Sequence, residues 1–402
     1  MQDCTDKYKD ALELLEEVDA QRPGDVNVIN NIGLVYLALG QANEAKKHFE
    51  RGNILSPSNV SVTNNLARAL FDLECIEPAT EILTRLVDEG FATAETYYFL
   101  HSAIMKRGND IAFIKHAYDM KPLDDGIASA YATALWGQDE CHTARQIFLD
   151  CCEIIQNKEF LQTEPSPKRV SFNPEDAVIA LIDLKKVLEP ISGNYWLDFG
   201  TLLGFIREGG PLKHDKDADI GVSGNIDRTA LTQLIKNSII FDLHPKSSLD
   251  EQKIHYSFSI VHKKLGILID IFFYNQNRDG SFACGFWKHP VPVTWSFDNI
   301  PRLGKITVDG NDFPVPDDPS KHLEKIYGPN WMVPDKLFDT VLSAHNLCRS
   351  SLETSTLFGL QRLINSVRTG RIEKAIYYLD VIQGFDANLP LKELKLRLQK
   401  EL

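Results

Sequence analysis

A spacing of 34 residues recurs in the first 100 residues of the chain. Four independent sets of positions keep this spacing: Ala11, Ala45 and Ala79; Leu15, Phe49 and Leu83; Ile32, Leu66 and Leu100; Pro23 and Pro57. A fixed period of this length is typical of stacked helical hairpins, in which each unit buries its apolar face against the next. The first part of the chain is therefore predicted to be an all-helical repeat array.

The second unit of this array resembles the tetratricopeptide repeat (TPR). It carries, in the order of that motif, Ile32-Gly33, Tyr36, Gly40, Ala45, Phe49 and Pro57. Small residues such as Gly33 and Ala45 would let two antiparallel helices approach closely. Roughly four units fit before residue 160, so we assign residues 1–160 to a TPR-like helical repeat domain. Such an array either holds a protein, peptide or polymer or serves as a spacer or dimerisation scaffold, and the sequence leaves both open.

Charge is distributed unevenly along the chain. Residues 1–160 hold 26 Asp and Glu against 14 Lys and Arg, whereas residues 161–402 hold 30 against 29. The net charge of −13 opposes general binding to nucleic acid, since phosphate backbones require a basic surface. The sequence has no apolar run long enough to span a membrane and no secretory signal, so we expect a cytoplasmic protein, with a peripheral position at the inner face of the membrane as an option.

The pattern changes after residue 160. A polar, proline-containing stretch at 161–176 is predicted to be a linker. Apolar residues then recur at helical spacing over about 175–190, with Asn173 or Asp176 as the cap, and short apolar runs at 195–197, 239–241, 254–261 and 266–274 predict strands. Mixed elements in this order predict an α/β or α+β domain at 177–350, followed by a C-terminal helical hairpin at 351–402.

Two aspartates, Asp217 and Asp219, stand one residue apart in a predicted strand. Alternate residues of a strand share a face, so both carboxylates point the same way. Their repulsion costs about 1–4 kcal/mol at dielectrics between those of a protein surface and water. A divalent cation removes that cost, and Mg²⁺ prefers one or two carboxylates together with phosphate oxygens and water.

A third carboxylate, Asp270, is flanked on both sides by the most apolar run of the chain. A strand that is apolar on both faces is buried, and a lone buried carboxylate is costly unless a metal or a hydrogen-bond donor compensates it. We therefore expect Asp270 to lie beside the Asp217/Asp219 pair on a neighbouring strand. It would be a metal ligand or a general base that takes the proton of an attacking hydroxyl.

Upstream of these acids, Gly200-Thr201 joins a strand to the first turn of a helix, where backbone N–H groups suit a phosphate. A hydrophobe-Gly-small motif followed by Asp-x-Asp and one later acid resembles the nucleotidyltransferase fold. The runs at 200–207 and 214–221, with the later blocks at 313–316 and 323–334, resemble the LicD branch, which includes bacterial LicD, fukutin and fukutin-related protein. This resemblance spans about 196–335.

The resemblance implies both a reaction and a set of site residues. A LicD-like enzyme moves a phospho-substituent, such as ribitol phosphate, glycerol phosphate or phosphocholine, from a CDP-activated donor to a hydroxyl of a glycan or glycolipid, using Mg²⁺ or alternatively Mn²⁺. Asp217, Asp219 and Asp270 would be catalytic and bind the metal, with Asp215 as a weaker ligand. The residues expected to bind the donor phosphate or nucleotide are Gly200, Thr201, Arg207, Lys213, His214, Lys253 and His255, and those expected to line the pocket are Tyr327 and Gly328.

Other functions fit the same sequence. The acids would equally serve a nucleotidyltransferase that makes the activated donor, or a sugar-phosphate transferase. A chain that has lost catalysis would be a TPR scaffold. In each case the array is expected to bind a protein partner, an acceptor or a second copy of the chain. A role in capsule, teichoic-acid or other cell-surface polysaccharide synthesis follows from the resemblance.

Overall fold

The computed structural model describes residues 2–104, 111–157, 172–191, 194–213, 215–244, 247 and 251–401. The chain divides into two compact units, residues 1–159 and 160–402. No described helix combines the length and the apolar character that a membrane span requires. Most of the predicted linker, at 161–171, lies outside the described residues, and the helix after it begins at 174.

In its described part, the first unit consists of helices joined by short turns. These are α1 (Gln2–Gln21), α2 (Val26–Ala38), α3 (Ala42–Leu55), α4 (Val60–Asp72), α5 (Ile76–Asp88), α6 (Ala94–Ile104), α7 (Ala112–Met120), α8 (Asp125–Gly137) and α9 (Cys141–Gln156). Asp25 and Asn59, 34 residues apart, cap α2 and α4 by accepting backbone N–H bonds. The repeat therefore specifies the helix starts as well as the packed faces.

The positions that keep the 34-residue spacing form the core of this unit. Ala45, Phe49 and Leu83 are completely buried. Helices α2 and α3 approach so closely at Gly33 that a Cβ there would lie 2.5 Å from the Phe49 ring, which confirms the predicted close contact. The first unit is thus a TPR-like helical array, as the sequence predicts.

The second unit contains a mixed sheet surrounded by helices. Its strands are β1 (Tyr195–Leu197), β2 (Asp217–Ser223), β3 (Phe241–Leu243), β4 (Ser257–His262), β5 (Leu268–Gln276), β6 (Phe282–Phe286), β7 (Val293–Phe297), β8 (Leu303–Val308) and β9 (Asn311–Pro316). Its helices are α10 (Pro174–Val187), α11 (Phe199–Glu208), α12 (Arg228–Lys236), α13 (Glu251–Ile254), α14 (Pro319–Tyr327), α15 (Thr340–Ser343), α16 (Leu352–Arg368), α17 (Ile372–Phe385) and α18 (Lys392–Leu398).

The sheet order is β1-β2-β5-β4-β3, with β2 and β5 parallel and the other pairs antiparallel. The far end of β5 also pairs with β6, which pairs with β7, while β8 and β9 form a separate hairpin. One face of the sheet carries aliphatic residues such as Ile220 and Ile271, which belong to a large core cluster. The other face carries aromatic residues, among them Phe272 and Tyr274, which pack with Trp295.

Two predicted strands begin later than the sequence suggests. The run at 239–241 becomes a strand only at Phe241, because the Ser238 hydroxyl accepts the N–H groups of Ile240 and Phe241 and turns the chain there. Ile239 is consequently 89% exposed. The run that starts at Ile254 places that residue in α13, and β4 begins at Ser257.

The C-terminal helices pack within the second unit. At the start of this segment, the Ser351 hydroxyl accepts the N–H of Thr294 on β7 at 2.9 Å. The Thr354 hydroxyl donates to the carbonyl of Val291 at 2.6 Å. Helices α16 and α17 form the predicted hairpin, and at Gly359 a Cβ would lie 2.0 Å from the Ile382 side chain.

Candidate active site

The parallel pairing of β2 with β5 brings together the three acids singled out in the sequence. Asp219 lies directly opposite Asp270, and Asp217 lies opposite Leu268. In-register residues of neighbouring parallel strands share a face and lie about 4.8 Å apart. All three carboxylates therefore project from the same face of the sheet, at the end where both strands begin.

The first turn of α11 holds Asp219 in place. The N–H of Gly200 donates to the Asp219 carboxylate at 3.1 Å, and the N–H of Asp219 donates to the Thr201 hydroxyl at 2.7 Å. The sequence analysis assigned Gly200 and Thr201 to the donor phosphate, on the ground that the N–H groups there are free. In the structure the Gly200 N–H contacts the Asp219 carboxylate and the Thr201 hydroxyl accepts the Asp219 N–H, because α11 begins immediately beside β2. Phosphate binding at these two residues stays a prediction.

Asp215 lies in the same group of acids. A Cβ added at Gly200 would meet the Asp215 Oδ2 at 2.9 Å and the Asp219 Oδ2 at 3.3 Å. The two carboxylates thus flank Gly200 from the side of the loop and the side of the strand. Gly200 leaves the space that both of them occupy, so its role in the structure is to admit the acids.

Burial and mutual repulsion raise the pKa values of these acids. The pKa of Asp217 rises from 3.8 to about 6, chiefly through burial and then through the charge of Asp270. The pKa of Asp219 lies well above its usual value because of burial, followed by the charges of Asp217, Asp270 and Asp215. Burial likewise raises the pKa of Asp270, against the effect of a hydrogen bond with the Ser259 side chain.

The acids suit a hard divalent cation. The Oδ1 atom of Asp270 is buried without a hydrogen-bond partner, and compensating positive charge would remove the repulsion between neighbours. Within the described ranges, no three His, Cys, Asp or Glu side chains are arranged so that they could hold a metal by themselves. A pair of carboxylates such as Asp217 and Asp219 would fit Mg²⁺, which commonly takes one or two carboxylates and completes its shell with water and substrate phosphates.

Among the predicted cationic residues that the structure describes, Arg207 has the most deeply buried side chain. Its side chain is 9% exposed and its Nε has no hydrogen-bond partner, while its Nη atoms contact Glu208 and the carbonyl of Trp331. Lys213 and Lys253 are exposed. His214 lies outside the described residues.

His255 lies towards the other end of β5. Its carbonyl accepts the Asn275 side-chain amide at 2.9 Å and the Arg228 guanidinium at 3.4 Å. Asn275 and Asp270 are five residues apart on β5, and five strand residues span about 17 Å. The structure thus brings Arg207 close enough to the predicted pocket residue Tyr327 for its charge to act on the hydroxyl, but it does not place His255 beside the acids.

The two predicted pocket residues follow each other at the end of α14. Burial raises the pKa of Tyr327 well above its usual value, with further contributions from the charges of Asp219 and Asp215, so its hydroxyl is neutral and near the acids. Gly328 has a φ of +84°, and a Cβ there would lie 2.5 Å from the His345 ring. Glycine is required at this position for both reasons.

Asp198 is not among the predicted site residues, and it bonds the following turn as a structural residue does. Asp198 does cap α11, but it is also completely buried and contacts three other side chains. Ser259 was missed altogether, although its position in an alternating strand could have placed it on the face of Asp270.

The space at Gly200 leads to a first prediction. Gly200→Ala is expected to lower any turnover that depends on these acids by about tenfold, because its methyl group would displace the Asp215 and Asp219 carboxylates by a few tenths of an ångström. Steady-state kinetics measures the effect. Gly210→Ala, beyond the other end of α11, is the matched control, since a Cβ there meets nothing within 4 Å. Equal activity of the two variants would contradict the prediction.

These features define a class of protein in which a nucleotidyltransferase-fold domain follows a helical array. Comparison with known proteins agrees with this class. Residues 193–318 match the model of the LicD/FKTN/FKRP nucleotidyltransferase domain, and residues 6–54 match that of a tetratricopeptide repeat. The chain therefore carries a LicD domain preceded by a TPR repeat. The sequence block at 323–334 lies beyond the matched range, so its resemblance to the LicD branch stays a prediction.

An uncharacterised protein of Rickettsia typhi is 26% identical over 187 residues, which cover 44% of this chain and 52% of that protein. The chain thus spans about half the length of this curated relative. Among solved structures, MamA of Desulfovibrio magneticus RS-1 is 20% identical. The match covers 39% of this chain and 92% of MamA, with a TM-score of 0.33. YrrB, described as a TPR protein with an unusual peptide-binding site, is 12% identical. The match covers 36% of this chain and 80% of YrrB, with a TM-score of 0.31.

Proposed function

We propose that the second unit transfers a phospho-substituent from a CDP-activated donor to a hydroxyl of a glycan or glycolipid. The transferred group would be a polyol phosphate, such as ribitol or glycerol phosphate, or phosphocholine. The observation that carries the proposal is the convergence of Asp217, Asp219 and Asp270 on one face of the sheet within a LicD domain. Mg²⁺, or Mn²⁺ in its place, would be held by Asp217 and Asp219.

The bound metal would neutralise charge on the donor diphosphate and on the departing nucleotide. The acceptor oxygen attacks the phosphorus of the transferred group, the bond from that phosphorus to the nucleotide phosphate breaks, and CMP leaves. The acceptor proton passes to a carboxylate. Asp270 suits that role because it lies opposite Asp219 and because burial raises its pKa, so its carboxylate binds a proton more readily than an exposed one.

Arg207 is the chain's own cation best placed to contact the donor phosphate. Its guanidinium is nearly buried and its Nε lacks a partner. Charge-assisted hydrogen bonds from arginine to phosphate are strong and directional. The TPR-like array would hold the acceptor, a partner protein or a second copy of the chain, and the enzyme would act in the cytoplasm or at the inner face of the membrane.

The proposal is tested by following the nucleotide product. With Mg²⁺ and a glycan extract as acceptor, at least one of CDP-ribitol, CDP-glycerol and CDP-choline is expected to give CMP, and excess EDTA is expected to stop its release. Chromatography of the nucleotides measures both. Pyrophosphate released from CTP, with no CMP from any donor, would instead identify an enzyme that makes the activated donor. Unchanged turnover in EDTA would contradict the metal mechanism.

A further inference from the structure

Asp198 is a completely buried carboxylate at the junction of four elements. It accepts hydrogen bonds from groups on β1, β5, α11 and α14, which are the Trp196 indole at 3.2 Å, the Tyr274 hydroxyl at 2.6 Å, the Phe199 N–H at 2.9 Å and the His322 Nε2 at 2.8 Å. The His322 ring stacks on Phe297 with an interplanar angle of 14°, which holds the plane of the imidazole. The carboxylate is thus held from several directions.

This network is linked to Asp219 through the first turn of α11. Asp198 is the N-cap of α11, and its own N–H donates to the Asp219 carbonyl at 3.1 Å. Phe199, the first residue of the helix, has a φ of +39°, a strained value for a residue with a side chain. The bond from the Phe199 N–H to Asp198 supports that conformation. The same turn presents the Gly200 N–H to the Asp219 carboxylate.

A buried carboxylate–histidine pair is weak evidence for stability, since apolar residues of similar size often replace such pairs without loss. Its geometry is more informative. His322 comes from α14, far along the chain, and contacts the residue that begins the turn on which Asp219 depends. The pair therefore connects two elements that both border the acidic site.

We propose that His322 is a positioning residue that acts through Asp198 and the first turn of α11 to aim the Asp219 carboxylate. In this network His322 donates to Asp198, Asp198 holds the strained Phe199, and the following N–H at Gly200 sets the orientation of Asp219. The kinetic consequence rests on the proposed transferase function. The structural consequence, that the Gly200 N–H is held in place, does not rest on that function.

The test compares His322→Leu with His322→Gln in the full-length protein. Glutamine can place a donor near the position of Nε2, whereas leucine cannot. We expect His322→Leu to speed amide hydrogen exchange in the segment at 199–204 and to lower kcat about tenfold with little change in KM for the donor, because the loss concerns the acid and not donor binding. We expect His322→Gln to keep the amide exchange at 199–204 and kcat close to those of the unaltered protein.

A matched control is His262→Leu, which removes another buried histidine paired with an aspartate, Asp183 at 3.3 Å. That variant is expected to leave exchange at 199–204 unchanged. Equal exchange in His322→Leu and the unaltered protein, or faster exchange spread over the whole domain, would overturn the inference. Local acceleration in a protein that transfers nothing from any donor would support the network and reject the proposed function.

Discussion

Asp219→Asn is expected to lower the turnover of the transferase by about a thousandfold while the protein stays folded. The loss follows from removing a charge that stabilises the reacting diphosphate through its metal. Asparagine keeps the size of the side chain and an oxygen that accepts the Gly200 N–H. CMP release from the active CDP donor measures turnover, and circular dichroism with thermal unfolding checks the fold.

Asp242→Asn is the matched control for this experiment. Asp242 lies on β3 of the same sheet, where it is exposed and pairs with Lys263 at 3.3 Å. An exposed ion pair contributes little, so the control is expected to behave like the unaltered protein. Turnover in Asp219→Asn within a factor of about ten of the control would contradict a role for Asp219 in metal-assisted transfer.

The second large effect concerns stability and pH in the absence of metal. The pKa of Asp217 is raised from 3.8 to about 6 in the folded protein, by burial and then by Asp270. The protonated form is thus favoured by folding, and its contribution to stability is complete below pH 4 and lost as the pH rises through about 6. Two pKa units correspond to about 3 kcal/mol. About half of this amount is lost above pH 5, so we expect the metal-free protein to be less stable at pH 8 than at pH 5 by about 1.4 kcal/mol.

Urea unfolding in EDTA at the two pH values measures this difference. Asp217→Asn has no charge to lose, so it is expected to be more stable than the unaltered protein at pH 8 and to show a weaker dependence on pH. Mg²⁺ should stabilise the unaltered protein at pH 8 more than at pH 5, because only the ionised acids bind it. A pH dependence identical in both proteins would show that Asp217 is not under electrostatic strain.

Much of the candidate site could be predicted because its acids occupy positions in the sequence where packing would favour apolar residues. Asp270 interrupts an apolar strand, and Asp217 and Asp219 alternate on one face. Packing alone explains none of these positions. The roles of Gly200 and Thr201 could not be predicted in the same way. Whether an N–H group is free for a ligand depends on which strand lies next to it, and here β2 places the Asp219 carboxylate against the Gly200 N–H and the Asp219 N–H against the Thr201 hydroxyl.

His322 illustrates the same limit more sharply. In the sequence it is one histidine in a short amphipathic helix, and no spacing connects it with Asp198. The contact between them exists only because α14 packs against α11. At Phe241 the reason is local: the Ser238 hydroxyl accepts the Phe241 N–H, and this bond outweighed the apolar pattern.

The amino-acid sequence by itself determined the helical array, its repeat length and the capping residues, because each of these depends on contacts between residues close along the chain. It also determined which acids needed a compensating partner. Only the tertiary structure decided that β2 and β5 are parallel neighbours, that Asp219 faces Asp270, and that Asp198 joins four elements. Those contacts depend on the order of strands in the sheet, and periodicity carries no information about strand order.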